Sequence, residues 1–257
     1  VGHSTEALLN LELVHEHRNY LPILGPIMAL SRIATIDRRR WHALADGVAL
    51  CLVVSLCLAT AERATIWQNP VLWGFAEAAA HPSSSRAHQQ AANGSIYMAL
   101  RLLRNKHEAE AKKFLDVALE HLKQARTLDP RMIAADFTMI QVLGMEERKP
   151  SAEDLQALQH RLRTGPVHIS WSSAFGKLVE WQWKGVTNLD HEEVVGVFLA
   201  AIENPHMPRD VLGMIHAYLA QYYGNVEKDA TNALQQALDA TRADPGAYQH
   251  QLSLASL

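Results

Sequence analysis

The residues best equipped for chemistry sit close together near the start of the chain. The run Glu12-Leu13-Val14-His15-Glu16-His17-Arg18-Asn19-Tyr20-Leu21-Pro22 holds two imidazoles, two carboxylates, a guanidinium and a phenol. A guanidinium can fork onto a phosphate, such as that of a lipid-linked pyrophosphate donor. A carboxylate such as Glu16 could orient Arg18 or act as a base. The same residue types also make an interfacial belt, with Tyr20 and Arg18 anchoring a membrane helix and Glu16 solvating its end. From spacing alone the belt is the better reading. His15 and His17 invite a metal, with His3 as a third ligand, but a His-X-His pair shares a side only in an extended strand. Among 14 histidines a close pair arises by chance. No metal site is therefore predicted. The chain has no Gly-X-Ser-X-Gly elbow, no Gly-X-X-X-X-Gly-Lys phosphate loop and no Rossmann glycine pattern. No catalytic residue is assigned within it.

Apolar runs flank this segment and would have to position it. Ala43 to Ala61 carries a single charge, Asp46, near one end. That run approaches the roughly 20 residues that cross a hydrocarbon core. Trp41 stands just outside it, where an amphipathic ring suits the headgroup layer. A weaker run, Leu21 to Ile36, holds Arg32, with Pro22 and Pro26 in its first turns, where proline is tolerated. The two runs read as a transmembrane hairpin, about 21–36 and 43–61, within a 21–61 membrane segment. The joint, residues 37–42, carries Arg38, Arg39 and Arg40, which the positive-inside rule places in the cytoplasm. Residues 1–20 then form an extracytoplasmic loop, and residues 62–257 lie in the periplasm of a bacterium, beyond its inner membrane. Cys51 and Cys57 fall in the second run and read as apolar filler. The chain opens Val1-Gly2-His3 and is expected to be a fragment or processed product.

After residue 62 the period changes. Apolar residues recur three and four apart, and no sustained period-two run appears. Helices are predicted over 83–101, 107–127, 131–145, 151–163, 170–184, 190–203, 208–224, 227–242 and 246–255. Ser151 with Asp154 resembles a capping box. Trp171, Phe175 and Leu178 share a helical face and read as core, while Trp67 and Trp73 follow the membrane run closely enough to rest on a bilayer surface. A net charge of −3 argues against a nucleic-acid partner, and two cysteines exclude a disulfide scaffold.

One internal repeat is visible. Residues 118–130 align with 233–245: Ala118, Leu122, Ala125 and Pro130 answer Ala233, Ala237, Ala240 and Pro245, and Asp-Pro closes both. The pattern resembles the second helix of a tetratricopeptide repeat (TPR). Ala217 to Gly224 resembles the first helix of the last repeat. Such units stack into a solenoid whose concave face binds a protein or peptide.

The segment Glu16-His17-Arg18-Asn19-Tyr20-Leu21-Pro22 resembles a signature of bacterial polytopic membrane proteins with C-terminal tetratricopeptide repeats. It is similar, more loosely, to the Glu-Arg-X-Leu-Tyr-Leu-Pro-Ser signature of transmembrane and tetratricopeptide-repeat protein O-mannosyltransferases. Glu16, Arg18, Tyr20, Leu21 and Pro22 match in type; Asn19 and Ile23 depart. Residues 61–70 and 80–87 resemble the run that enters the repeats in the bacterial proteins. The resemblance implies an all-α chain of membrane helices followed by a periplasmic TPR-like domain, the C-terminal part of a polytopic inner-membrane protein. It also implies, as the alternative, part of a GT-C-like, lipid-linked-sugar-dependent glycosyltransferase acting on protein or envelope glycan, with the TPR domain presenting the acceptor, the catalytic acid upstream, and a polyprenyl-phosphate sugar donor and a divalent metal as cofactors of the full-length protein. Glu16, Arg18 and Tyr20 would then help shape the donor-phosphate site. The expected partners are a protein or peptide on the concave face and membrane lipid.

Overall fold

A computed structural model describes residues 42–168 and 170–247. The chain divides into two units at Thr65/Ile66. Glu16, Arg18 and Tyr20, the run 21–36, the arginine joint and the helix expected over 246–255 lie outside the described residues, except Gly246 and Ala247.

The first unit contributes most of α1, His42–Trp67. It is one uninterrupted helix whose large apolar side chains are bare: Leu50, Leu56 and Leu58 are 65%, 59% and 67% exposed. Over Leu50–Trp67 it is long and apolar enough to cross a membrane, the one such helix among the described residues. Cys51 and Cys57 are free thiols on its exposed surface.

The second unit is all helix, and no strand occurs among the described residues. In order come α2 (Pro70–Ala80), α3 (Ser85–Arg104), α4 (Glu108–Leu128), α5 (Ile133–Met145) and α6 (Ala152–Thr164). Then follow α7 (Ser170–Trp183), α8 (His191–Ile202), α9 (Arg209–Tyr222), a π-turn (Tyr223–Glu227) and α10 (Ala230–Ala243). Side chains fix where several begin. Asn69 Oδ1 accepts from the amides of Val71 and Leu72 at 3.0 and 3.3 Å, with Pro70 at the first helical position. Ser151 Oγ accepts from Asp154 N at 3.1 Å, and Asp229 Oδ1 from Asn232 N at 3.0 Å. Asp190 N donates to Glu193 Oε2 at 2.7 Å in the capping box of α8.

Consecutive helices pair early in the unit: α2 with α3, α3 with α4, α4 with α5. Later, alternate helices also pack together, α5 with α7, α7 with α9 and α6 with α8, before α9 pairs with α10. The short apolar helix α5 explains the change. Its Ala135, Met139, Val142 and Leu143 join the cluster built on α3 and α4. Its Ile133, Phe137 and Ile140 join the larger cluster of α6 to α9. A helix buried on both sides needs no polar face, which is why α5 reads as apolar nearly all round. Phe137, Phe175 and Phe198 carry the second cluster across three helices, with ring centroids 5.2 and 4.8 Å apart. Trp171, Phe175 and Leu178 are each at most 1% exposed, as their shared face implied.

Helix α2 has no counterpart among the sequence-based helices. Ten of its eleven residues are apolar, Glu77 being the exception, so they look like a continuation of the apolar run before them. The contact surface is glycine. A Cβ on Gly74 would stand 2.6 Å from Gln90 O, and one on Gly94 would stand 2.7 Å from Pro70 O. Both neighbours are backbone, so neither can step aside. Gly94→Ala is expected to push α2 off α3 at a cost of about 1–3 kcal/mol. Thermal melts of the full chain in detergent, followed by circular dichroism, would read this as a Tm lowered by several degrees; an unchanged Tm would refute the close crossing.

Candidate functional site

Three polar constellations and one helix row are the places where the second unit could act. The most buried is the acid–base group between α4, α5 and α6. Asp136 is the one charged residue of α5 and is 5% exposed. Arg161 Nη2 donates to Asp136 Oδ1 at 2.6 Å, and Arg126 Nη1 lies 3.6 Å from the same oxygen. Arg126 Nη1 also donates to Asp154 Oδ1 at 2.7 Å, and Ser151 Oγ donates to Asp154 Oδ2 at 2.7 Å. Asp136 Oδ2 and Arg161 Nε are buried with no protein partner. Burial pushes the Asp136 carboxyl above the usual Asp range against the pull of both arginines. The Ser151 hydroxyl and Arg126 hold Asp154 below it. The arrangement ties three helices through one carboxylate, and so reads as a structural staple.

The second constellation lies where α3 meets α4. His88 Nε2 is 3.0 Å from Pro82 O, which can only accept, so Nε2 carries the proton. His88 Nδ1 then offers a lone pair, and His121 Nδ1–H donates to it at 2.9 Å. The edge of Phe75 closes on His121 at 5.5 Å between centroids. Burial, and then the neighbouring His88, push the His121 pKa below 6.5. A histidine held low binds fewer protons folded than unfolded. Its stabilisation is complete above pH 6.5 and is lost as pH falls through the ordinary value toward the lowered one. The Tm of the full chain is therefore expected to drop on acidification through this window, well above the range where carboxylates titrate. His121→Gln should flatten that slope; an equal slope in the variant would refute the assignment.

The third lies at the π-turn, a feature common at functional sites. Tyr222 Oη donates to Glu227 Oε1 at 2.6 Å, and His191 Nδ1 is 3.3 Å from the same oxygen. The His191 ring stacks on Tyr222 with centroids 5.9 Å apart. Burial and the Glu227 carboxylate push the phenol up, so it stays a donor. Glu227 is engaged from two sides and serves to lock the turn to the start of α8. A comparable lock closes α6: Asn204 is buried and donates to the carbonyls of Leu162 and Gly165 at 2.7 and 2.9 Å.

The helix row is α3, α5, α7 and α9. Gln89 Nε2 on α3 donates to Thr138 Oγ1 on α5 at 3.1 Å and to Asn93 Oδ1 at 3.2 Å. On α7, Gly176 leaves room for the ring of Tyr218 on α9; a Cβ there would be 2.8 Å from it. Asn93 and Ser173 are exposed along this row.

The two repeat segments occupy α4 and α10. Ala118, Leu122, Ala125, Ala233, Ala237 and Ala240 are all at most 2% exposed. Asp129 and Asp244 end the helices with the same backbone, φ −138 and ψ 93 against φ −134 and ψ 84, and their amides bond to Ala125 O and Ala240 O. Pro130 and Pro245 follow at exposed positions. Among the described residues no three His, Cys, Asp or Glu side chains come together to hold a metal; His3, His15 and His17 are outside them. Sequence reasoning missed Asp136, although a lone acid in an otherwise apolar helix is a legible sign of a buried partner. It also missed the His88–His121 pair, whose 33-residue separation carries no local signal.

Comparison with protein-family models, with curated proteins and with solved structures returns no match.

Proposed function

We propose that this chain is a membrane-anchored, TPR-like interaction module. It would be the C-terminal part of a polytopic bacterial inner-membrane protein, with its helical domain in the periplasm. One observation carries the reading: a bare apolar helix long enough to span a bilayer leads into a helical unit in which, from α5 on, alternate members pack on one another, α5 on α7, α7 on α9 and α6 on α8. Helices α3, α5, α7 and α9 supply the inner row of a solenoid of helix pairs, and α4, α6, α8 and α10 the outer. The matched Asp-Pro closures of α4 and α10 support a repeating unit, because equal caps aim the following chain alike. The inner row would bind an extended peptide or a protein segment, with the exposed Asn93 offering amide partners.

Photo-crosslinking side chains placed at Asn93 and Ser173, against Glu153 and Glu192 on the outer row, test this in cells. A shared crosslinked protein from the inner positions and none from the outer is the expected result. Equal crosslinking from both rows, or from neither, overturns it.

A further inference from the structure

The α3–α4 hairpin reaches past the helix it packs on. The close approaches of Gly74 to Gln90 and Gly94 to Pro70 set α2 and α3 antiparallel, with Gly94 level with the first residue of α2. From Gly94 to Arg104 α3 rises a further roughly 15 Å at about 1.5 Å per residue. The His88–His121 contact sets the register of α4, so its first turns run beside that overhang. The overhang therefore lies on the Pro70 side of the domain. That is the side on which the chain arrives, since only Gln68 and Asn69 separate Pro70 from the end of α1.

Exposed cations with no ion pair among the described residues are denser at the overhang than in the rest of the domain, where Lys123, Arg209 and Lys228 stand singly. Arg126, Arg131, Arg148, Lys149, Arg161 and Arg163 each meet a carboxylate. Arg101, Arg104, Lys106, Lys112 and Lys113 are exposed and form no ion pair among the described residues. Glu108 and Glu110 are the acids between them. Beside the cations Tyr97 is 53% exposed and Leu100 is 38% exposed. An aromatic, an aliphatic and unpaired cations together match an anionic bilayer surface, where rings and alkyl groups sit at the headgroup level and Lys or Arg meets lipid phosphate.

We propose that the tip of the α3–α4 hairpin, residues 97–113, docks on anionic phospholipid headgroups. This rests on α1 spanning the bilayer. Docking would hold the start of the helical domain against the membrane and leave the later helices free for a partner.

The test uses the full chain carrying Cys51→Ser and Cys57→Ser, with Leu100→Cys or Leu58→Cys labelled by a polarity-sensitive fluorophore. It is reconstituted in vesicles of phosphatidylcholine, with or without phosphatidylglycerol. The Leu100 label is expected to shift to blue, brighter emission only with phosphatidylglycerol, and to revert in high salt. Arg101→Glu with Arg104→Glu should reduce that lipid-dependent signal by roughly tenfold or more, since each cation near the surface is worth about fivefold. The Leu58 label should report hydrocarbon in every case. A Leu100 label in water in both vesicles, with Leu58 in lipid, overturns the docking and leaves the anchor standing. A Leu58 label in water overturns the anchor and the docking with it. A Leu100 response to a polyglutamate peptide but not to phosphatidylglycerol would assign the tip to an acidic protein and also overturn it.

Discussion

Replacing Leu56 and Leu58 by aspartate is expected to bring α1 out of the bilayer. In native membranes Cys51 and Cys57 should resist a membrane-impermeant maleimide; in the double variant both should label as fast as in detergent. The size of the effect follows from depth. Both leucines sit near the middle of Leu50–Trp67 and are more than half exposed. An aspartate at the centre of a spanning helix costs about 2.5–3.5 kcal/mol, and each leucine lost forgoes a few tenths more. Two such changes exceed what a helix of marginal apolarity can absorb. Full labelling of both thiols in untreated native membranes would instead show α1 in water. Because the probes are native residues on α1 itself, the result holds whatever the run 21–36 does.

Asp136→Ala is expected to destabilise the helical domain by about 3–5 kcal/mol. The reason is what stays behind. Arg161, whose Nε is buried and whose side chain is 21% exposed, would be left with no carboxylate, and Arg126 would keep only Asp154. Asp136→Asn should cost less, because an amide oxygen still accepts from Arg161 Nη2. The raised carboxyl of Asp136 carries a further consequence. A group whose folded pKa is raised contributes stability that is present below the ordinary Asp value of 3.8 and is lost as pH rises through the raised one. Burial therefore outweighs the two arginines for the charged form. The ion set holds geometry more than it adds stability. The combined variant Asp136→Leu, Arg126→Met, Arg161→Met should then be neutral or up to about 4 kcal/mol more stable than the parent. Urea unfolding of the full chain in detergent would measure all three. A combined variant as unstable as Asp136→Ala would show that the ion set stabilises outright.

Helices were legible because burial on one side leaves a period of three to four in the apolar residues. Helices α3, α4, α6 and α8 each show it, and their ends follow from local chemistry: Ser151 and Asp190 cap, Asp129 and Asp244 close. The bare run in α1 was legible for the opposite reason: it is apolar on every side over a length that could cross a membrane. Where those signals fail, the structure alone decides. Helix α2 is apolar on most sides and short, so nothing in its sequence distinguishes it from the membrane run before it; the glycines at 74 and 94 become meaningful only when two backbones cross. Helix α5 lies between two clusters, and only packing explains its lack of a polar face. The candidate sites divide in the same way. The small residues of the repeat announce close packing because their size is a local property. Pairings such as Asp136 with Arg161, His88 with His121 and Tyr222 with Glu227 depend on how helices are set against one another. What the sequence determined by itself is helix content, a span-length apolar run and a repeating turn. Only the tertiary structure could decide which charges are buried together and which are left bare at the α3–α4 tip, because side-chain pairing follows from helix register, and no local pattern encodes it.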